Sequence, residues 1–339
     1  QRLFSDFSVT LVESADVGII GVGEGSTPAL KAFMDAMGIE ESEWMPRCNA
    51  TYKSGITFRN WSTKKGFTDY FHPFFSHFDR DYIKALDFNS QLRRAGTDVH
   101  AHPDAFSYAH YLAKKKLCPR TPYSFPFEVQ YGYHFNAGLL GELLKEKALE
   151  RGVERKELHV ADVVLDSTGD VAHLVSEDGE VLEADFFVDC SGFASLITQK
   201  ALGTGFVSFA DHLFNDRAVT IMTPAEEEAS NQTISTAMNC GWAWYIPLKD
   251  RVGNGYVYSS RYCSEEEAEA ELRAHLGVGP EVGARHLKMR VGRAKSMWNR
   301  NTLAVGLSQG FLEPLEATAL ALVQLTLTRF AKMYKAGGY

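Results

Sequence analysis

Phe186-Phe187-Val188 runs straight into Asp189-Cys190-Ser191-Gly192, which reads as a buried strand ending in a glycine turn. A strand that is apolar on both faces needs cover on both sides, the situation of a sheet flanked by helices. The segments before it narrow the choice further. Ser8-Val9-Thr10-Leu11-Val12-Glu13 reads as a strand that ends in an acid. Gly21-Val22-Gly23-Glu24-Gly25-Ser26-Thr27-Pro28 is a glycine-rich loop leading into an amphipathic helix from Ala29 to Ile39, with Thr27 suited to the cap and Pro28 to the first helical position. Alone, such a loop is better explained by a tight turn without a ligand. From about Trp61 to Phe127 the chain is crowded with aromatic, histidine and proline residues, as in a wall around a flat apolar ligand or in a loop-rich hydrophobic subdomain. Tyr133-His134-Phe135-Asn136 is expected to open a helix that continues to Ala148. Leu158 to Leu165, Val171 to Ser176 and Val181-Leu182 form a meander, turned at Thr168-Gly169-Asp170 and Asp178-Gly179.

This order of nucleotide unit, aromatic insertion, helix, meander, strand and glycine matches an α/β flavoprotein of the two-domain monooxygenase type, a Rossmann-like fold. In such a fold Glu13 is the ribose-binding acid, and a first strand with its G-x-G-x-x-G turn is expected about 20 residues upstream of it. Only Gln1 to Phe7 precede that strand here.

Bulk properties exclude several classes. The chain has 339 residues, 45% of them hydrophobic, enough for a large core. Lys and Arg number 35 against 43 Asp and Glu, a net charge of −8 without a basic block, which argues against nucleic acid or an anionic membrane as partner. Its five cysteines are widely spaced without a C-x-x-C pair, so neither a disulfide framework nor a metal site is indicated, and a cytoplasmic setting fits. No apolar run reaches the roughly 18 residues needed to span a bilayer.

Two ionisable residues stand out. Glu316, in Phe311-Leu312-Glu313-Pro314-Leu315-Glu316, is expected in the first turn of a helix that starts at Pro314 and is apolar on every side through Leu327. A carboxylate buried there costs several kcal/mol unless it is paired, although a helix dipole alone also favours a first-turn acid. Lys53 lies in Thr51 to Phe58, read as one strand with Tyr52, Ile56 and Phe58 on one face and Lys53, Gly55 and Thr57 on the other. By position alone it would be an exposed sheet lysine.

Three distant strings change both readings. Gly23-Glu24-Gly25-Ser26-Thr27-Pro28, Trp242-Ala243-Trp244-Tyr245-Ile246-Pro247 and Phe311 to Thr318 together resemble the flavin-dependent tryptophan halogenases. Val188 to Phe193 and Leu213-Phe214-Asn215-Asp216-Arg217-Ala218 extend the resemblance over nearly the whole chain. It implies an FAD-binding domain of the para-hydroxybenzoate hydroxylase type from residues 1–60 and 131–339, and a substrate-facing region at 61–130. It also implies a family helical part beyond Tyr339. The chemistry implied is oxidation of chloride or bromide to hypohalous acid with FADH2 and O2, followed by its delivery to an indole-like arene. Lys53 matches the lysine that directs the halogen, and Glu316 the glutamate that stabilises or deprotonates the arene intermediate. By the same resemblance Glu13, Gly23, Gly25, Val160, Leu307 and Leu320 contact FAD, and the amides of Thr318 and Ala319 hold halide. His72 and Phe74 sandwich the indole, and Trp242 and Trp244 keep substrate from the flavin. A separate NAD(P)H-dependent flavin reductase is the implied partner, and a homodimer is compatible. The family's Glu-Ser-Thr-Gly is here Glu316-Ala317-Thr318-Ala319, so a serine hydroxyl is missing beside the glutamate. That departure keeps free indole and other electron-rich arenes open as substrates beside tryptophan. An aromatic hydroxylase on the same scaffold and an inactive flavin-binding remnant are the alternatives.

Overall fold

The computed structural model describes residues 7–18, 24–77, 79–121, 123–124, 127–335 and 337. Its largest element is a seven-stranded sheet. In spatial order it runs Ala284–Lys288, Arg217–Pro224, Arg251–Tyr258, Gly241–Pro247, Thr233–Met238, Gly55–Arg59 and Tyr70–Pro73. All neighbours are antiparallel except Thr233–Met238 and Gly55–Arg59, which are parallel. Alternation along these strands gives the sheet two apolar faces. One carries Val219, Ile221, Ala243, Tyr256 and Tyr258 and is covered through Ala268 and Leu272 by the helix Glu265–Leu276. That helix starts with a Ser264/Glu267 capping box and ends at Gly277 in the left-handed region. The opposite face carries Ala218, Trp242, Trp244 and Val257, with Leu315 packed on it.

A three-stranded antiparallel sheet, Glu24–Gly25, Gly132–Phe135 and Thr51–Lys53, forms a second core. Tyr133 and Phe135 pack there against Leu30 and Met34 of the helix Ala29–Met37, Trp44 of the helix Glu41–Arg47, and Leu140 and Leu143 of the helix Ala137–Leu149. Glu41 serves this core as a polar hub, accepting hydrogen bonds from Tyr131, Tyr133 and Arg120. Thr10–Glu13 pairs in parallel with Glu154–Glu157, and Phe187–Asp189 in parallel with Thr302–Ala304. The meander is present as Val160–Leu165, Val171–Ser176 and Val181–Glu183, with positive φ at Gly169 and Gly179 in its turns.

Four expectations are corrected. Thr51 to Phe58 is two strands, in two different sheets, separated at Ser54. The break is stabilised from afar, because the Ser54 amide donates to the Asn231 carbonyl and Asn231 Nδ2 donates to Ser54 Oγ. Tyr133 to Phe135 is a buried strand rather than the start of a helix, and Asn136 caps the helix that follows by accepting from the amides of Gly138 and Leu139. The last helix starts at Thr318, not at Pro314, because Ala317 takes φ +56° and interrupts the helical path. Nor is that helix wrapped in core: Gln324 and Ala331 are buried, whereas Leu322, Leu325, Leu327 and Met333 are exposed. It docks along one stripe only, with Leu320 against the Leu30–Leu143 core and Phe330 against Phe186 and Trp298.

Candidate active site

Lys53 ends its strand on the face shared by Gly25, Thr51, Gly132 and His134, and glycines at two of those positions leave room for a long side chain to lie across the small sheet. It is 1% exposed. Among the described residues no carboxylate oxygen approaches its amine closely enough to form an ion pair. The amine stands 5.5 Å from the centre of the Phe74 ring. A Cβ added at Gly25 would lie 3.2 Å from Lys53 Nζ, 3.6 Å from Ala317 Cβ and 3.7 Å from His134 Cδ2, so these three groups line one gap. Burial lowers the pKa of Lys53 from 10.5 to about 7, and the nearby charge of Glu316 offsets part of the effect. An amine in this state exchanges protons at neutral pH and is nucleophilic there.

Glu316 lies in the turn before the last helix, and it is exposed rather than buried as expected. The left-handed Ala317 lifts it out of the helix while keeping it within electrostatic reach of Lys53 and Tyr70. The phenol of Tyr70 is held above its ordinary pKa by partial burial and by Glu316.

A wall of rings continues from this point. Phe58 stacks on Tyr70 with centroids 4.9 Å apart and meets His72 edge-on at 6.4 Å. Next in the sheet come Ser235 and Trp244, directly opposite each other on neighbouring strands. Trp242 and Trp244 are 4% and 8% exposed, with ring centres 6.2 Å apart. Gly255 is required under them, since a Cβ there would come within 2.1 Å of the Trp244 ring. Trp242 Nε1 donates to Glu313, which also accepts from Asn215. The tryptophan pair is thereby tied to the loop that carries Glu316.

The tryptophan halogenase family model matches residues 1–338. The chain belongs to the tryptophan halogenase family. It is 37% identical to tryptophan 6-halogenase SttH of Streptomyces toxytricini, over 98% of this chain and 68% of that protein. It is 36% identical to 7-chloro-L-tryptophan 6-halogenase KtzR of Kutzneria sp. (strain 744), over 100% of this chain and 70% of that protein. The crystal structure of SttH superposes with a TM-score of 0.88 at 36% identity, covering 100% of this chain and 69% of that one. Tar14, a tryptophan C-6 flavin-dependent halogenase from taromycin biosynthesis, gives 0.87 at 36% identity, covering 99% and 68%. The fold is thus the FAD-binding fold of the para-hydroxybenzoate hydroxylase type, and the enzyme class is flavin-dependent halogenase.

For a member of this family, the positions expected to contact FAD are scattered. Glu13 ends its parallel strand half-buried and pairs with Arg155. Val160 packs into the meander core with Val171 and Leu174. Leu307 is half-buried in the short helix Gly306–Ser308, and Leu320 faces the Leu30 core. Gly23 lies outside the described residues, and Gly25 sits beside Lys53. Thr318 and Ala319 are the first two residues of the last helix, where amides have no partner within the helix. His72 is exposed and Phe74 half-buried, and it is the Phe74 ring that stands near the amine. Three residues of the site carried no signal of their own in the sequence. His134 looked like part of a helix, Tyr70 was one aromatic among many, and Glu313 preceded a proline that seemed to start a helix.

Among the described residues no helix is long and apolar enough to cross a membrane, and no group of three or more His, Cys, Asp or Glu is placed to hold a metal.

Proposed function

We propose that the chain halogenates an indole-like arene, tryptophan included, with Lys53 delivering the electrophilic halogen and Glu316 stabilising or deprotonating the arene cation. The observation that carries this reading is the Lys53 amine, 1% exposed, without an ion-paired carboxylate, facing a gap lined by Ala317 and the His134 edge, with Phe74 nearby. An amine that is neutral near pH 7 can take halogen from hypohalous acid as a haloamine, or hydrogen-bond to the acid and aim it. Glu316 keeps its contact with water, so a proton taken from the arene has an exit.

The residues present fit a flavin. Gly192 and Gly306 follow the carboxyl ends of the parallel pair Phe187–Asp189 and Thr302–Ala304, with φ +66° and +72°. At both, the space a Cβ would take is open, which leaves bare backbone for a flat ligand to approach at strand ends. By the resemblance Leu307 would contact the ring, Glu13 the ribose and Val160 the adenine side; Gly23, Gly25 and Leu320 are further cofactor positions, of which Gly25 borders Lys53 and Leu320 packs on the Leu30 core. When bound as FADH2, the cofactor would use O2 to oxidise the halide. The first amides of the last helix, at Thr318 and Ala319, suit chloride or bromide because a helix N-terminus carries partial positive charge. Trp242 and Trp244, fixed by Gly255 and Glu313, would keep the arene from the flavin. His72 and Phe74, in the 61–130 region, would grip it, and a separate NAD(P)H-dependent flavin reductase would supply FADH2 in the cytoplasm.

The test is mass spectrometry of products from a panel of indoles and arenes, with FAD, NADH, a generic flavin reductase, and chloride and bromide in competition. Wild type should yield products with a halogen isotope pattern, and Lys53→Ala should yield none while still reoxidising FADH2. Unchanged product from Lys53→Ala would overturn the lysine's role. Oxygenated product indifferent to halide would overturn the reaction class.

A further inference from the structure

His134 is fully buried on the Lys53 face of the small sheet, in cross-strand register with Gly25 on one side and Thr51 on the other. Both of its nitrogens are engaged. Nδ1 lies 3.2 Å from Thr51 Oγ1, and Nε2 lies 2.9 Å from Thr233 Oγ1. The Thr51 hydroxyl has one proton and donates it to the Pro247 carbonyl at 2.7 Å. Towards the imidazole it can therefore only accept, so the proton of the ring resides on Nδ1. Nε2 is then the acceptor, and the Thr233 hydroxyl donates to it. A second ring proton is opposed by burial first and by Lys53 next, both of which favour the neutral imidazole.

The consequence for Lys53 is geometric. Thr51 precedes it by two residues in the same strand, Thr233 belongs to the seven-stranded sheet, and Pro247 ends the strand of the tryptophan pair. The ring is hydrogen-bonded to Thr51 and Thr233, with Thr51 tied in turn to the Pro247 carbonyl, and the edge it turns toward the gap with the amine is carbon Cδ2. A carbon edge offers an ammonium no acceptor, and a ring held at both nitrogens cannot turn one toward it.

We propose that His134 is a positioning residue for Lys53, an imidazole locked by Thr51 and Thr233 that shields the amine from water and keeps it aimed across Gly25. This rests on the delivery role given to Lys53 above. Among the described residues, the carboxylate whose charge reaches Lys53 is Glu316, from the turn before the last helix, and Glu316 in turn acts on Tyr70 of the edge strand. Glu24 turns away to accept from the amide of Ala137.

The experiment reads the amine directly, without halogenation. Carbamylation of Lys53 by cyanate is followed by peptide mass spectrometry from pH 6 to 10, as modified by reaction of the neutral amine, with Lys53→Met identifying the peptide signal. In His134→Ala, where water can enter, the midpoint should rise by about one pH unit or more, lowering the neutral fraction near pH 7 about fivefold or more. His134→Gln, which fills the site and retains an acceptor for Thr233, should return the midpoint toward the wild-type value. If His134→Ala does not fold, Thr233→Val releases the ring from one side and should shift the midpoint in the same direction. Midpoints that stay at the wild-type value in the folded variants, whatever their melting temperatures, would overturn the proposal. A wild type that makes no halogenated product would sink the functional reading and leave this titration untouched.

Discussion

Lys53→Met keeps the length of the side chain and removes the amine, so it isolates the free energy of a buried cation. In the folded protein burial lowers the pKa of Lys53 to about 7, whereas in the unfolded chain it returns to 10.5. Between those values the unfolded chain binds a proton that the folded chain does not, so this group makes stability rise with pH. The slope is about 1.4 kcal/mol per pH unit, and the window from about 7 to 10.5 makes the whole effect about 5 kcal/mol. Below pH 7 the amine is protonated in both states and the folded protein carries nearly the full cost. Above 10.5 it is neutral in both and the cost is gone. The variant has no such group, so its advantage over wild type should shrink by about 1.4 kcal/mol per unit from pH 7.5 to 9.5. Better packing of methionine would add a constant without altering that slope. Urea unfolding of both proteins at half-unit steps of pH measures it. A stability difference that is flat across this range would show that the amine is solvated when folded, and would remove the physical basis for its reactivity at neutral pH.

Gly255→Ala should destabilise the fold by about 1–3 kcal/mol, because its methyl would come within 2.1 Å of the Trp244 ring. Thermal melting with tryptophan fluorescence should show a lower midpoint and an altered folded baseline, and an unchanged melt would contradict the packing described. Ala317→Val places a β-branched residue at φ +56° and should cost about 1–2 kcal/mol. Ala317→Gly, which adopts that conformation freely, should fold within about 1 kcal/mol of wild type. Equal melting curves for the Val and Gly variants would argue against a left-handed backbone there.

What could be read from the sequence depended on the range over which each signal acts. The meander was legible because its turns are local, with glycines at 169 and 179 in the positive-φ conformation those turns need. The strand ahead of Gly192 was legible for a similar reason, as its apolar run and its punctuation are adjacent, but the expected burial of both faces was not met, because it is an edge strand with Val188 exposed. The division at Ser54 was not, since alternation continues smoothly across it and the partner that enforces it, Asn231, lies far along the chain. Tyr133 to Phe135 looked helical because a real helix follows immediately, and only pairing with Glu24–Gly25 and Thr51–Lys53 makes it a strand. Glu316 was singled out for a burial it does not have. The physical argument for a costly buried charge applies instead to Lys53, whose position alone suggested exposure. Most of the seven-stranded sheet was not anticipated, because its long antiparallel neighbours have ordinary alternation and gain their identity only from one another.

The separation at Ser54 sets Lys53 at the join of two sheets. Its own strand is fastened to the half of the molecule built around the helix Ala29–Met37, while the very next strand opens the aromatic wall formed by Phe58, Tyr70 and His72. The two are joined across the break by Thr51 to Pro247, Ser54 to Asn231 and His134 to Thr233, so a shift of the large sheet would be felt at Lys53 through those three links.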